Sequence, residues 1–182
     1  MNLLDGVRSV FVGQAKAQNI AYYRAFCSYN MKDYQIASDL FKQFIQTYPE
    51  SSFAEECLYM MGFCDYKASP KPRLDQQVTE KAIREFQLYL SRYPYSMRKD
   101  KVNTYMDEMR DKLSYKAYLS AKNYYLREHY KAAVISLQNC LKDYPGSKYR
   151  EEIMYMLFVS KYQMAVNSVE DKKVERYNKD RE

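Results

Sequence analysis

The side chains in this chain that could do covalent or metal chemistry are few, and their spacing argues against it. Four cysteines (Cys27, Cys57, Cys64 and Cys140) and one histidine, His129, are the candidates for metal binding or thiol reactions. No two cysteines stand in Cys-x-x-Cys spacing, and a lone histidine cannot complete a zinc set with them. Cys57 and Cys64 fall on one predicted helix, about 10 Å apart at a rise of about 1.5 Å per residue, too far for a disulfide. All four read as small core hydrophobes. His129 precedes Tyr130 in a predicted turn between helices, where an exposed histidine is ordinary. From the remaining residues no acid–base pair, activated nucleophile, glycine-rich phosphate loop or metal set can be assembled, so no catalytic residue, cofactor or metal is expected.

Contact chemistry is better supplied, because the chain holds 21 Tyr and no Trp. A tyrosine offers a wide rigid face for packing and a hydroxyl for an extended backbone. Other bounds are consistent with a binding protein. The net charge of +6 comes from 29 basic and 23 acidic residues mixed along the chain, the densest basic run being 98–101. Nucleic-acid binders gather positive charge on one face, so nucleic acid is not an expected partner. No apolar run reaches the roughly 18–20 residues of a membrane span, and the first residues lack the basic-then-apolar pattern of a secretion signal.

The elements that must carry these tyrosines are written as a repeat. Tyr48-Pro49, Tyr93-Pro94 and Tyr144-Pro145 each close a segment with an Ala twelve residues before the Pro (Ala37, Ala82, Ala133). A large apolar residue lies eight before (Phe41, Phe86, Leu137), an Ile or Leu four before (Ile45, Leu90, Leu141), and a Ser two after (Ser51, Ser96, Ser147). That spacing is one apolar stripe on a helix, and Pro ends it by disfavouring helical geometry in the residue before. Tyr48, Tyr93 and Tyr144, recurring at the helix end, read as structural. With four Gly, five Pro and many good helix formers, the chain is predicted to be all-α.

Each stripe needs a partner helix. Residues 17–31 supply one before the first stripe and 115–127 before the third, where Ala21, Tyr22, Ala25 and Tyr29 match Ala117, Tyr118, Ala121 and Tyr125. Small residues at matching places on paired helices are the pattern of the tetratricopeptide helix-turn-helix, and a stack of such units holds other molecules. The predicted fold is a right-handed α-solenoid. Its parts are a half-repeat at 1–16, a repeat at 17–51, a repeat with an insertion at 52–97, a helical extension at 98–113, a repeat at 114–147 and a half-repeat at 148–182, all in one domain. Residues 3–12 read as a second helix lacking its first, and both ends read as truncated.

Several segments together resemble the BamD family, periplasmic lipoproteins of the outer-membrane β-barrel assembly (BAM) machinery, in a form like that of Bacteroidota. They are Lys32-Asp33-Tyr34 to Phe44 with Tyr48-Pro49, Ser51 to Tyr59, Ser69-Pro70 with Leu74-Asp75-Gln76 and Thr79, and Ala121 to Pro145. Asp75, Gln76 and Thr79, on the insertion, are the more specific mark. The resemblance implies a non-catalytic scaffold anchored to the outer membrane through a lipidated Cys upstream of this chain. Its implied partners are the POTRA domains of BamA, other BAM subunits and unfolded outer-membrane protein clients. A periplasmic coordinator of the Tol-Pal and cell-wall type, or a generic tetratricopeptide adaptor, is the alternative, and the insertions at 68–79 and 98–113 count against the coordinator. First helices line the groove in repeats of this type. The candidate contacts are therefore Tyr22, Phe26, Tyr29 and Asn30, then Tyr59, Phe63 and Tyr66, then Tyr118, Lys122 and Tyr125, although each Tyr also suits packing between helices. Asp75 reads as a cap for the helix that begins near Thr79, within a loop-fixing role.

Overall fold

The structure, a computed structural model, describes residues 15–167. Every regular element among them is helical: α1 (Ala15–Asn30), α2 (Tyr34–Thr47), α3 (Ala54–Ala68), α4 (Gln77–Arg92), α5 (Lys99–Leu126), α6 (Tyr130–Asp143) and α7 (Arg150–Val166). This all-helical, helix-turn-helix order is that of a tetratricopeptide-like repeat. The expected helix at 3–12 and the tail after 167 lie outside the described residues.

The three stripes fold as read. Ala37, Phe41 and Phe44 on α2, Ala82, Phe86 and Tyr89 on α4, and Ala133, Leu137 and Cys140 on α6 are all buried. First helices differ in kind. α3 buries Cys57, Leu58, Tyr59, Met60, Met61, Gly62, Cys64 and Asp65, most of its circumference, because α2 and α4 both pack against it. Gly62 makes the approach of α4 workable: a Cβ there would stand 2.9 Å from Phe86 Cδ1.

The stop signal has one geometry in three copies. Tyr48, Tyr93 and Tyr144 leave the helix at φ/ψ of −131/63, −127/66 and −131/66, each donating its N–H to the carbonyl four residues back. Pro follows, and then a Ser whose Oγ accepts the N–H two residues on, from Phe53, Arg98 and Tyr149, at 3.2 Å each time. Each serine therefore helps to start the next first helix. The turns after α1 and α5 also match: Lys32 and Glu128 take φ of 66 and 59, and Asp33 and His129 donate to the carbonyls of Ser28 and Tyr124.

The sequence expectation divided residues 98–127 into an extension and a separate first helix. The structure has one helix there, α5, because neither Gly nor Pro occurs between Pro94 and Pro145 to break it. The chain forms two compact units, Met1–Met109 and Arg110–Glu182, and the boundary falls within α5. In the first unit the core continues through Val102, Met106 and Met109 of α5. In the second it joins Tyr118 and Ala121 of α5 to Ala133, Leu137 and Cys140 of α6 and Ile153 and Met156 of α7.

Candidate functional site: an aromatic ribbon on the first helices

In the first unit, the candidate residues on α1 and α3 come together and are joined by one that sequence reasoning missed. Tyr22 packs on Phe26 with ring centroids 4.6 Å apart, Phe26 leads to Tyr29 at 6.5 Å, and Tyr29 reaches Phe63 on α3 at 6.2 Å. Along α3, Tyr59, Phe63 and Tyr66 stack at 5.7 and 5.9 Å. Tyr105 of α5 closes the row, 5.4 Å from Phe63 and 4.5 Å from Tyr66. Residues three or four apart share a helix face, so each helix contributes a short column and neighbouring helices set the columns side by side. Tyr105 was legible only as part of the stripe Val102, Tyr105, Met106 and Met109, on a segment read as an extension.

The members differ in what they can offer. Tyr59 is 7% exposed and serves as packing, whereas Tyr22, Phe26, Tyr29, Phe63, Tyr66 and Tyr105 are half-buried, and Asn30 is exposed. Cations border the ribbon: Lys67 Nζ lies 5.2 Å from the Phe63 centroid and 5.8 Å from that of Tyr66, and Lys101 Nζ 6.0 Å from Tyr105. Arg98 lies over Tyr59 at 4.7 Å and pairs with Glu56, which also accepts the Tyr22 hydroxyl at 2.8 Å. Tyr66 donates a short hydrogen bond to Glu108.

These environments keep the phenols protonated. The hydrogen bond to Glu108, followed by burial, pushes Tyr66 up to about 12. Burial, then Glu56, raises Tyr22, and burial also raises Tyr29 and Tyr59. A neutral phenol is a poor base and a good donor, so the ribbon presents rings, hydroxyls and flanking positive charge.

The second unit holds a smaller set. Tyr118 stacks on Tyr149 at 4.4 Å, and Tyr115 lies 5.3 Å from Tyr149. Lys122 sits over the Tyr118 ring and donates to the Tyr118 hydroxyl and to Glu152, at 2.8 Å each. Tyr118 is 5% exposed, so it acts as packing there, and Tyr125 is half-buried against the same core. Tyr22 and Tyr118, at matching places on first helices, are both tied to the opening turn of the next first helix, Tyr22 directly to Glu56 and Tyr118 through Lys122 to Glu152.

On the insertion, loop fixing falls to Gln76 and Thr79. Gln76 Nε2 donates to the carbonyls of Lys71 and Leu74 at 2.8 and 3.1 Å, Thr79 Oγ1 donates to Gln76 Oε1 at 2.7 Å, and the hydroxyls of Ser69 and Thr79 meet at 2.6 Å. Both residues are buried. Asp75 is exposed, and the start of α4 has no side-chain cap hydrogen bond, contrary to the capping expectation. The loop bends back on itself, so the amide that ties its two arms sits one residue nearer the helix.

A second cluster escaped sequence reading because its members lie on three helices. Asp65 Oδ2 accepts from Ser38 at 3.0 Å and from Lys81 at 2.9 Å, while Glu85 and Asp39 stand 3.7 and 3.9 Å from the same ammonium.

Among the described residues no group of His, Cys, Asp and Glu is placed to hold a metal ion, and no helix is long and apolar enough to cross a membrane. Comparison with curated proteins returns no match. The family profile YfiO, described as outer membrane lipoprotein, matches residues 2–177. The chain therefore belongs to the YfiO family of outer membrane lipoproteins, the BamD-like helical-repeat scaffolds.

Proposed function

We propose that this chain is a non-catalytic scaffold of the outer-membrane β-barrel assembly machinery, in the form found in Bacteroidota. It docks on the POTRA domains of BamA alongside other BAM subunits, and it helps deliver or insert unfolded outer-membrane proteins. The full-length protein works at the periplasmic face of the outer membrane, held by a lipidated Cys upstream of residue 1, and it makes no use of nucleic acid. The observation that carries this reading is the family match over residues 2–177.

The aromatic ribbon supports it in chemical terms. An unfolded barrel strand presents alternating apolar side chains and unpaired backbone groups. Half-buried rings supply apolar contact at little entropy cost, phenolic oxygens supply acceptors, since the Tyr22 and Tyr66 hydroxyls already donate to Glu56 and Glu108, and flanking lysines supply donors. Co-purification of the chain with the periplasmic domains of BamA tests the docking step. A stable complex is expected, and failure to associate at micromolar concentrations contradicts the proposal.

A further inference from the structure

The cluster around Lys81 has too few cations for its carboxyls. Asp65 and Glu85 have side chains only 2% and 11% exposed, and among the described residues Lys81, 36% exposed, is the one ammonium within ion-pair distance of either. Asp65 is well served, by Ser38 and Lys81. Glu85 is not: its Oε2 is buried without a hydrogen-bond donor. A buried carboxylate oxygen that accepts nothing is costly, and two buried carboxylates beside one another disfavour double ionisation. One proton resolves both problems, because it turns the Glu85 carboxyl into a donor toward Asp65.

We propose that Asp65, Glu85 and Lys81 form a proton-controlled latch joining α2, α3 and α4, closed while one proton is shared between the two carboxyls and loosened when it leaves. The groups acting on Glu85 are Lys42 from α2, Cys64 and Asp65 from α3, and Lys81 on its own helix, while Ser38 and Asp39 of α2 meet the cluster at Asp65 and Lys81. Burial and then the hydrogen bond to Asp65 push Glu85 up to about 8 from its ordinary 4.5, with Lys81 and the more distant Lys42 acting in the opposite sense. Burial works against charge on Lys81, and the hydrogen bond and field of Asp65 outweigh it, so its pKa is raised and it remains an ammonium throughout. Cys64, pushed up to about 12 by burial and then by Asp65, stays a neutral thiol.

The sign follows from the raised value. The folded chain holds a proton that the unfolded chain releases near 4.5, so the stabilisation is complete below that pH. It is lost as pH rises toward about 8, above which the native state holds two adjacent carboxylates. With one proton involved, the unfolding equilibrium constant of the first unit grows by about tenfold per pH unit across that window, relative to a chain without the titration.

Urea unfolding of the full chain and of Glu85→Gln across pH 5–9 tests this, with hydrogen exchange of α4 amides as the local readout. Gln keeps a donor toward Asp65 and cannot ionise. The two proteins should match near pH 5. By pH 8–9 the wild type should unfold more readily by a factor of 100 or more, with faster exchange in α4. Equal pH dependence of the two proteins overturns the latch. A carboxyl-carbon NMR titration of the wild type needs no variant: one glutamate must titrate near 8, and if every glutamate titrates below about 5.5 the proposal fails.

Discussion

Helices α3 and α7 are started by the same device, Pro-x-Ser, an aromatic residue two on and then Glu-Glu, yet their surroundings differ. In α3 the residues Leu58, Tyr59, Gly62 and Asp65 are buried, between second helices on two sides. At the matching positions of α7, Met154 is 51% exposed, Tyr155 65% and Phe158 69%, and no described helix follows to cover them. The residue types change with the surroundings. Gly62, which lets Phe86 close on α3, becomes Phe158, and Asp65, which holds Lys81, becomes Lys161. The start signal thus dictates where a first helix begins, whereas the next second helix decides which face is core.

Exchanging these residues is the strongest way to break the comparison. Gly62→Phe should destabilise the first unit by about 3 kcal/mol or more, since the ring has no room against Phe86. Phe158→Ala, on the matching exposed face, should change stability by no more than about 0.5 kcal/mol. Chemical denaturation of both variants checks the pair, and similar costs would remove the distinction between the two faces. A smaller effect separates Gln76 from its neighbour. Gln76→Ala leaves the Lys71 and Leu74 carbonyls without their amide donor and should cost about 2 kcal/mol, whereas Asp75→Ala, at an exposed site, should be near neutral. The smallest effect is in the turns: Lys32→Gly and Glu128→Gly each relieve a left-handed backbone and should raise stability by about 0.5 kcal/mol, read as a small rise in Tm.

The second helices were legible because Tyr-Pro-x-Ser combines a geometric stop with a serine start, and the stripe Ala-x-x-x-Phe leaves one face to bury. The candidate columns on α1 and α3 were legible for the same reason, once the pairing was known. Tyr105 was missed because residues 95–144 contain no Gly or Pro, so nothing in the composition says where an extension ends and a first helix begins. The Asp65, Lys81 and Glu85 cluster was illegible on other grounds. Its members are separated along the chain, each looks like an ordinary surface charge, and only the stacking of α2, α3 and α4 brings them to one ammonium. Asp75 looked like a cap because acidic residues suit helix starts, but α4 begins without a side-chain cap and the loop is fixed by the buried Gln76 amide instead.

That the half-buried rings of α1, α3 and α5 are the contact surface is tested most directly by site-specific photo-crosslinking to an unfolded outer-membrane β-barrel protein. A crosslinker at Asn30 or in place of Tyr66 should capture the client, and one at Gln87 on the exposed side of α4 should not. Capture from Gln87 with none from the ribbon would contradict the account.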